Sequence, residues 1–96
     1  MAAGDFDGAT GSIANNATID IKPGEDGIVW SLKEVGITGA WELYSYNGTT
    51  LALIDTFAGS KTLTNRQMIV TYGKYYRIKN VSGASKSYHY RYGVLK

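Results

Sequence analysis

The sequence predicts an all-β fold: a single compact antiparallel β-sandwich or barrel of about seven or eight short strands, with an extended N-terminal arm. Three observations predict it. Apolar residues recur with a period of two, as in half-buried strands, and nowhere with the 3.6-residue period of an amphipathic helix. Turn signals built on glycine, proline and asparagine separate these alternations about every eight to twelve residues. The 96-residue chain also holds 12 glycines and 8 tyrosines against a single proline, a balance that suits short strands and tight turns.

The elements follow in order. Residues 1–12, MAAGDFDGATGS, offer Phe6 as one large apolar side chain among Gly, Ala, Asp and Thr. Such a composition supports no core of its own, so an arm is expected, free or draped on a neighbour, with the β-domain occupying 13–96. Next, Ala17, Ile19 and Ile21 alternate with Thr18, Asp20 and Lys22. This is a half-buried strand, and Pro23-Gly24 ends it. After the PGEDG turn, Ile28, Trp30 and Leu32 alternate with Val29, Ser31 and Lys33, and Gly36 and Gly39 bracket a further turn.

WELYSYNGTTLALID carries the clearest local signal. Asn47-Gly48 is the preferred pair for a two-residue type I′ hairpin, whose two central positions both need positive φ. That register sets Tyr46 opposite Thr49, Tyr44 opposite Leu51 and Glu42 opposite Leu53, with Trp41, Leu43, Ala52 and Ile54 on the other face. Both faces are then largely apolar. One is expected on the core, and the other against a second layer, the arm or another subunit. Residues 57–67 read as a loop. MIVTY and KYYRIKN read as strands around Gly73, and KSYHYRYGVL as the closing strand after a VSGAS turn.

A chain of this length makes one domain, burying roughly 60–70% of the surface that its unfolded form exposes. Its 44% apolar and 19% charged residues are those of an ordinary globular protein. It has no cysteine, hence no disulfide framework and no thiolate chemistry, which fits a reducing cytoplasm. The first residues lack the basic and apolar regions of a signal peptide. No apolar run approaches the ~20 residues of a membrane helix. The expectation is synthesis in a cytoplasm and no membrane association. Charge is divided along the chain: residues 1–60 hold all eight acids with Lys22 and Lys33, and residues 61–96 hold eight bases and no acid. Such polarity steers anionic partners or head-to-tail association, unless the fold interleaves the two halves.

Catalysis needs groups that trade protons or hold a metal, and the sequence is poor in them. His89 is the single histidine and neighbours Arg91. No second histidine or cysteine completes a zinc site. Asp5-Phe6-Asp7-Gly8 resembles the start of a calcium loop without the later acidic ligands. Glycines form no phosphate loop. No catalytic residue, cofactor or metal is expected, and the chain reads as a non-enzyme.

Cations and aromatics mingle in SYHYRYG, Ser87 to Gly93, as they do in single-strand nucleic-acid binders. Strand alternation separates them: Tyr88, Tyr90 and Tyr92 point one way, His89 and Arg91 the other. Burying ~100 Å² of each ring contributes roughly 2.5 kcal/mol, against about 0–1 kcal/mol for an exposed ion pair. Trp30, Trp41, Tyr76, Tyr88, Tyr90 and Tyr92 are therefore expected in the core or a subunit interface. Asp5, Phe6, Asp7, Tyr44, Tyr46, Leu51, Leu53, His89 and Arg91 are the candidate partner or subunit contacts. Two alternatives remain. One is a carbohydrate platform of Trp30, Trp41 and exposed tyrosines. The other, which alternation disfavours, is a nucleic-acid surface of Lys74, Arg77, Lys79 and Arg91.

TGSIANNATIDIKPGEDGIVW, WELYSYNGTT and YYRIKNVSGASKSYHYRYGVL, together spanning about Thr10 to Leu95, resemble small structural proteins of tailed bacteriophages. In that group an arm leads to a TIKP-like strand, then an ELY-x-Y-[DN]-G-T hairpin and a YYRIKN-x-SG strand and turn. Tyr46-Asn47-Gly48-Thr49 stands where YDGT is frequent and keeps the turn chemistry. The resemblance implies a virion protein, made in the host cytoplasm and bound to the head: a capsid decoration (cement) protein. Its implied partners are the major capsid protein and sister subunits in a homo-oligomer, trimer or dimer. A phage tail or fibre accessory protein fits the same residues.

Overall fold

The computed structural model describes residues 4–96, apart from the side chains of 65–67. Eight strands follow one another: β1 (Phe6–Ile13), β2 (Thr18–Ile21), β3 (Val29–Ile37), β4 (Trp41–Tyr46), β5 (Leu51–Phe57), β6 (Lys61–Thr71), β7 (Tyr75–Asn80) and β8 (Lys86–Val94). They pair antiparallel in two four-stranded sheets of order β1-β8-β3-β6 and β2-β7-β4-β5. The pairing is nested. β4 meets β5, β3 meets β6, β2 meets β7 and β1 meets β8, as if one long hairpin had been rolled up. That is the eight-stranded jelly roll, so the chain is an all-β sandwich as its alternation predicts.

Between the sheets lies one core. Trp30, Leu32, Val35 and Ile37 of β3 meet Trp41 and Leu43 of β4, Ile21 of β2 and Ile78 of β7. Ile13, Leu63, Met68, Val70, Tyr92 and Val94 complete it. Asn80 is the buried polar side chain at one end, and its bonds are satisfied. Its Nδ2 donates to the carbonyls of Ile13 and Ala84 at 2.8 and 2.7 Å, and its Oδ1 accepts the Ser82 N–H at 2.9 Å. This side chain ties the β1 end and the β7–β8 turn to one point.

Three expectations are corrected. From Phe6 onward the supposed arm is edge strand β1, paired with β8 from Phe6↔Gly93 to Ile13↔Lys86; residues 1–3 lie outside the described residues. Composition misled because an edge strand is held by its backbone ladder, and here Ile13 alone sends a side chain into the core.

The hairpin is not type I′. Asn47 does not have positive φ, although Gly48 does at 96°. Instead Asn47 Oδ1 accepts the N–H groups of Thr49 and Thr50 at 3.0 and 2.9 Å, and residues 47–50 form a longer loop. The register moves by two, so Tyr46 faces Leu51 and Tyr44 faces Leu53. A bulge then sets Leu43 opposite Asp55 and Glu42 opposite Thr56.

Residues 61–67, expected as loop, begin the eleven-residue β6. They can do so because β3 continues through Gly36 to Ile37 and offers a ladder, Ile37↔Lys61 to Glu34↔Thr64. Gly36 is required there and is not a turn residue: a Cβ would lie 2.7 Å from the Lys61 carbonyl oxygen. Leu63 then fills the core.

Rolling the chain up also interleaves its charge. In the first sheet β8 and β6, from the basic half, alternate with β1 and β3 from the acidic half. The Arg77–Asp20 and His89–Glu34 contacts join the halves directly.

Candidate functional site

The closing strand β8 divides its side chains as alternation requires. Tyr92 is buried and stacks on Trp30 with ring centroids 3.6 Å apart and planes 9° from parallel. Tyr90 and Tyr88 continue the row at 6.2 and 6.4 Å, half-buried against the core. They lean over the small residues of β1: a Cβ on Gly11 would touch the Tyr88 ring at 3.1 Å. Burial, with the neighbouring Tyr88 and Asp7 charges adding to it, raises the Tyr90 pKa above its usual 10.0. Burial, then Asp7 and Tyr90, does the same at Tyr92. These phenols stay neutral and structural at ordinary pH.

On the outer side of the same strand His89 Nε2 lies 2.9 Å from Glu34 Oε1, a carboxylate that sequence reasoning missed because it is 55 positions away. Arg91 is exposed and, like Lys33, has no carboxylate partner among the described residues. Between them Gly8 and Gly93 form a floor. The Arg91 chain crosses Gly8, with Cγ 3.2 Å from where a Cβ would stand, and the Phe6 ring crosses Gly93 at 3.2 Å. The result is a concavity of about 570 Å³ whose lining includes Phe6, Asp7, Gly8, Thr10, Lys33, His89 and Arg91. Asp5 lies beside it in sequence, and its carbonyl accepts the Val94 N–H at 2.8 Å.

The outer face of the second sheet gathers the remaining candidates. Tyr44 donates to Glu42 Oε1 at 2.6 Å, and this bond, with burial and the Glu42 charge, holds the phenol above its usual pKa. Tyr46 packs on Tyr75 at 5.1 Å. Lys22 Nζ lies 4.8 and 4.7 Å from the Tyr72 and Tyr75 ring centres, close enough for cation–π attraction. Arg77 is taken by Asp20, with Nε–Oδ1 2.5 Å and Nη2–Oδ2 3.2 Å. That bond, outweighing burial, raises the Arg77 pKa, so this guanidinium is committed to its partner.

Beside this face runs β5, the edge strand. Six of its seven residues are exposed. Leu53 is 50% and Ile54 49% open to solvent, with Leu51 also exposed.

Of the core or interface aromatics, Trp30, Trp41 and Tyr92 are core, and Tyr76, Tyr88 and Tyr90 pack against it. The candidate contacts separate into two regions: Phe6, Asp7, His89 and Arg91 around the concavity, and Tyr44, Tyr46, Leu51 and Leu53 on and beside β5. The two alternatives lose part of their residue sets on this geometry. Trp30 and Trp41 are too deeply buried to present a carbohydrate platform. Arg77 is paired, and Arg91 points away from the tyrosine row. No group of three His, Cys, Asp or Glu side chains comes together among the described residues.

No family model and no curated protein sequence matches the chain. Solved structures do resemble it. The Cupin_2 domain of an XRE-family transcriptional regulator from Enterobacter cloacae superposes with a TM-score of 0.52 at 16% identity, covering 95% of this chain and 83% of that one. The cupin domain of Schizosaccharomyces pombe Cnp3 superposes with a TM-score of 0.50 at 19% identity, covering 92% of this chain. The chain spans about half of that domain, 52%. At such identities the likeness is one of fold. Both neighbours are cupin domains and neither is a phage protein, which overturns the reading as a capsid decoration protein. The chain is an all-β sandwich whose fold resembles that of these two domains.

Proposed function

We propose that the chain is a non-enzymatic assembly module that pairs with a second copy of itself through β5 and the adjoining outer face of the second sheet. One observation carries this reading: β5 is an edge strand without lysine or proline, and it exposes Leu51, Leu53 and Ile54 together. Proteins that stay monomeric blunt such edges with charge, proline or a covering loop.

A second copy is the occupant that fits. An antiparallel strand pair about a two-fold axis is self-complementary by construction. The one charge of β5 is Asp55, and registers centred on Leu53 or Ile54 keep it away from its own mate. The bulge opposite Leu43 and Tyr44 divides the ladder. Side-chain packing of Leu53 and Ile54, extended by Tyr44 and Tyr46, therefore supplies more of the contact than backbone bonds do.

Sedimentation velocity from about 1 to 100 µM tests this, a range in which interfaces of modest size associate. The protein should shift from monomer to dimer. Leu53→Lys and Ile54→Lys should each weaken association about tenfold or more with little change in Tm, since both side chains are solvent-exposed in the monomer. A chain that stays monomeric throughout, or variants that associate as the parent does, would overturn the reading.

A further inference from the structure

We infer that the concavity on the outer face of β1 and β8 is a binding site for a small oxyanion, a carboxylate or phosphate ester, that carries an apolar or aromatic group. It shares no residue with β5, so it stands or falls apart from the association reading.

The cationic side consists of Lys33 and Arg91. Neither has an ion-pair partner among the described residues, although Glu34 stands directly opposite Arg91 in the β3–β8 register. The carboxylate of Glu34 instead meets His89 Nε2 at 2.9 Å. The exposed guanidinium next to it keeps its paired donors, which suit a carboxylate or phosphate in two-point geometry.

The floor is open because Gly8 and Gly93 have no side chains. At Gly8 a Cβ would run into the Tyr90 carbonyl oxygen and crowd Arg91, and at Gly93 it would meet the Phe6 ring at 3.2 Å and the Lys33 Cε at 3.8 Å. Arg91, Lys33 and Phe6 can therefore lie along the sheet and wall a concavity of about 570 Å³, within the range of small-molecule sites.

Phe6 explains the apolar part of the ligand. It is 78% exposed, the most exposed large apolar side chain described, yet it is anchored over Gly93 in an ordered strand. Its ring offers a stacking wall beside the cations. Thr10 supplies a hydroxyl further along the groove. Asp7 also lines the concavity, but its Oδ1 accepts the Gly8 N–H at 2.8 Å and its register opposite Tyr92 sets it on the other face from Arg91, so the anion belongs on the Lys33–Arg91 side.

Phenyl phosphate is the probe, with inorganic phosphate beside it, followed by amide NMR shifts at neutral pH and low salt. Phenyl phosphate should give saturable shifts at Gly8, Thr10, His89, Arg91 and Gly93. Arg91→Ala and Lys33→Ala should each weaken it about tenfold, one charge-assisted contact apiece; both side chains lie outside the core, so the fold should persist. Phe6→Ala should weaken phenyl phosphate and leave inorganic phosphate unchanged. The proposal is overturned by an absence of saturable shifts, by shifts that map elsewhere, or by undiminished binding to the Arg91→Ala, Lys33→Ala double variant. Equal affinity for the two probes would overturn the assignment of the apolar group.

Discussion

Tyr90 and Arg91 are adjacent in the chain, and the sheet gives them opposite work. The Tyr90 ring is stacked between Tyr88 and Tyr92 and packs on the core, whereas Arg91 lies exposed along the outer face. Tyr90→Ser removes a half-buried ring and leaves space between two others, which should cost about 2–3 kcal/mol. Arg91→Ser should change stability by no more than about 0.5 kcal/mol, as surface substitutions do. Thermal melts of the two variants check this, and equal effects would refute the facing assigned to β8. Period-two alternation made that facing readable in the sequence. It could not show that His89 would be met by Glu34, or that Trp41, fully buried, would leave its indole N–H without a hydrogen-bond partner among the described residues. Those facts depend on which strand lies next door, and nothing local in the sequence specifies it.

At the level of elements, strands whose two faces differ were legible and strands held chiefly by their ladders were not. β2, β4, β7 and β8 announce themselves through alternating large apolar side chains. β1 and the first half of β6 are polar and glycine-bearing, and they are strands because β8 and β3 present unpaired edges to them. The hairpin shows the same limit: Asn47-Gly48 marked the turn, but the Asn47 side chain capping Thr49 and Thr50 selected a longer loop and moved the register. A consequence concerns β1. Removing residues 1–12 strips β8 of its neighbour, exposes the flank of the tyrosine row and leaves Ile13 unsupported. The shortened chain should lose about 2 kcal/mol or more, lowering Tm by roughly 10 °C for a domain of this size. A true arm would detach without effect, so an unchanged melt would show that β1 contributes nothing to the fold.

Across the whole molecule the nesting of strand pairs sets the order in which structure can form. Three of the four nested pairs, β3 with β6, β2 with β7 and β1 with β8, close progressively longer loops, while β4 with β5 closes across residues 47–50. Loop-closure entropy rises with length, so the β4–β5 hairpin is the least costly place to begin, and each pair that follows shortens the effective loop for the next. Asn47 sits at the apex of this sequence of closures, and the residues of β1 at its end. Substitutions at the two places should therefore act on different rates. Asn47→Ala loses two capping bonds, a cost of about 1–2 kcal/mol, and it should appear mainly as folding slowed several-fold to tenfold, with unfolding nearly unchanged. Ile13→Ala removes a core side chain from the last strand pair to close and should mainly accelerate unfolding. Stopped-flow chevrons of the two variants separate these outcomes. If Asn47→Ala acts only on the unfolding limb, the hairpin is not formed in the transition state, and the roll must close from its outer strands inward.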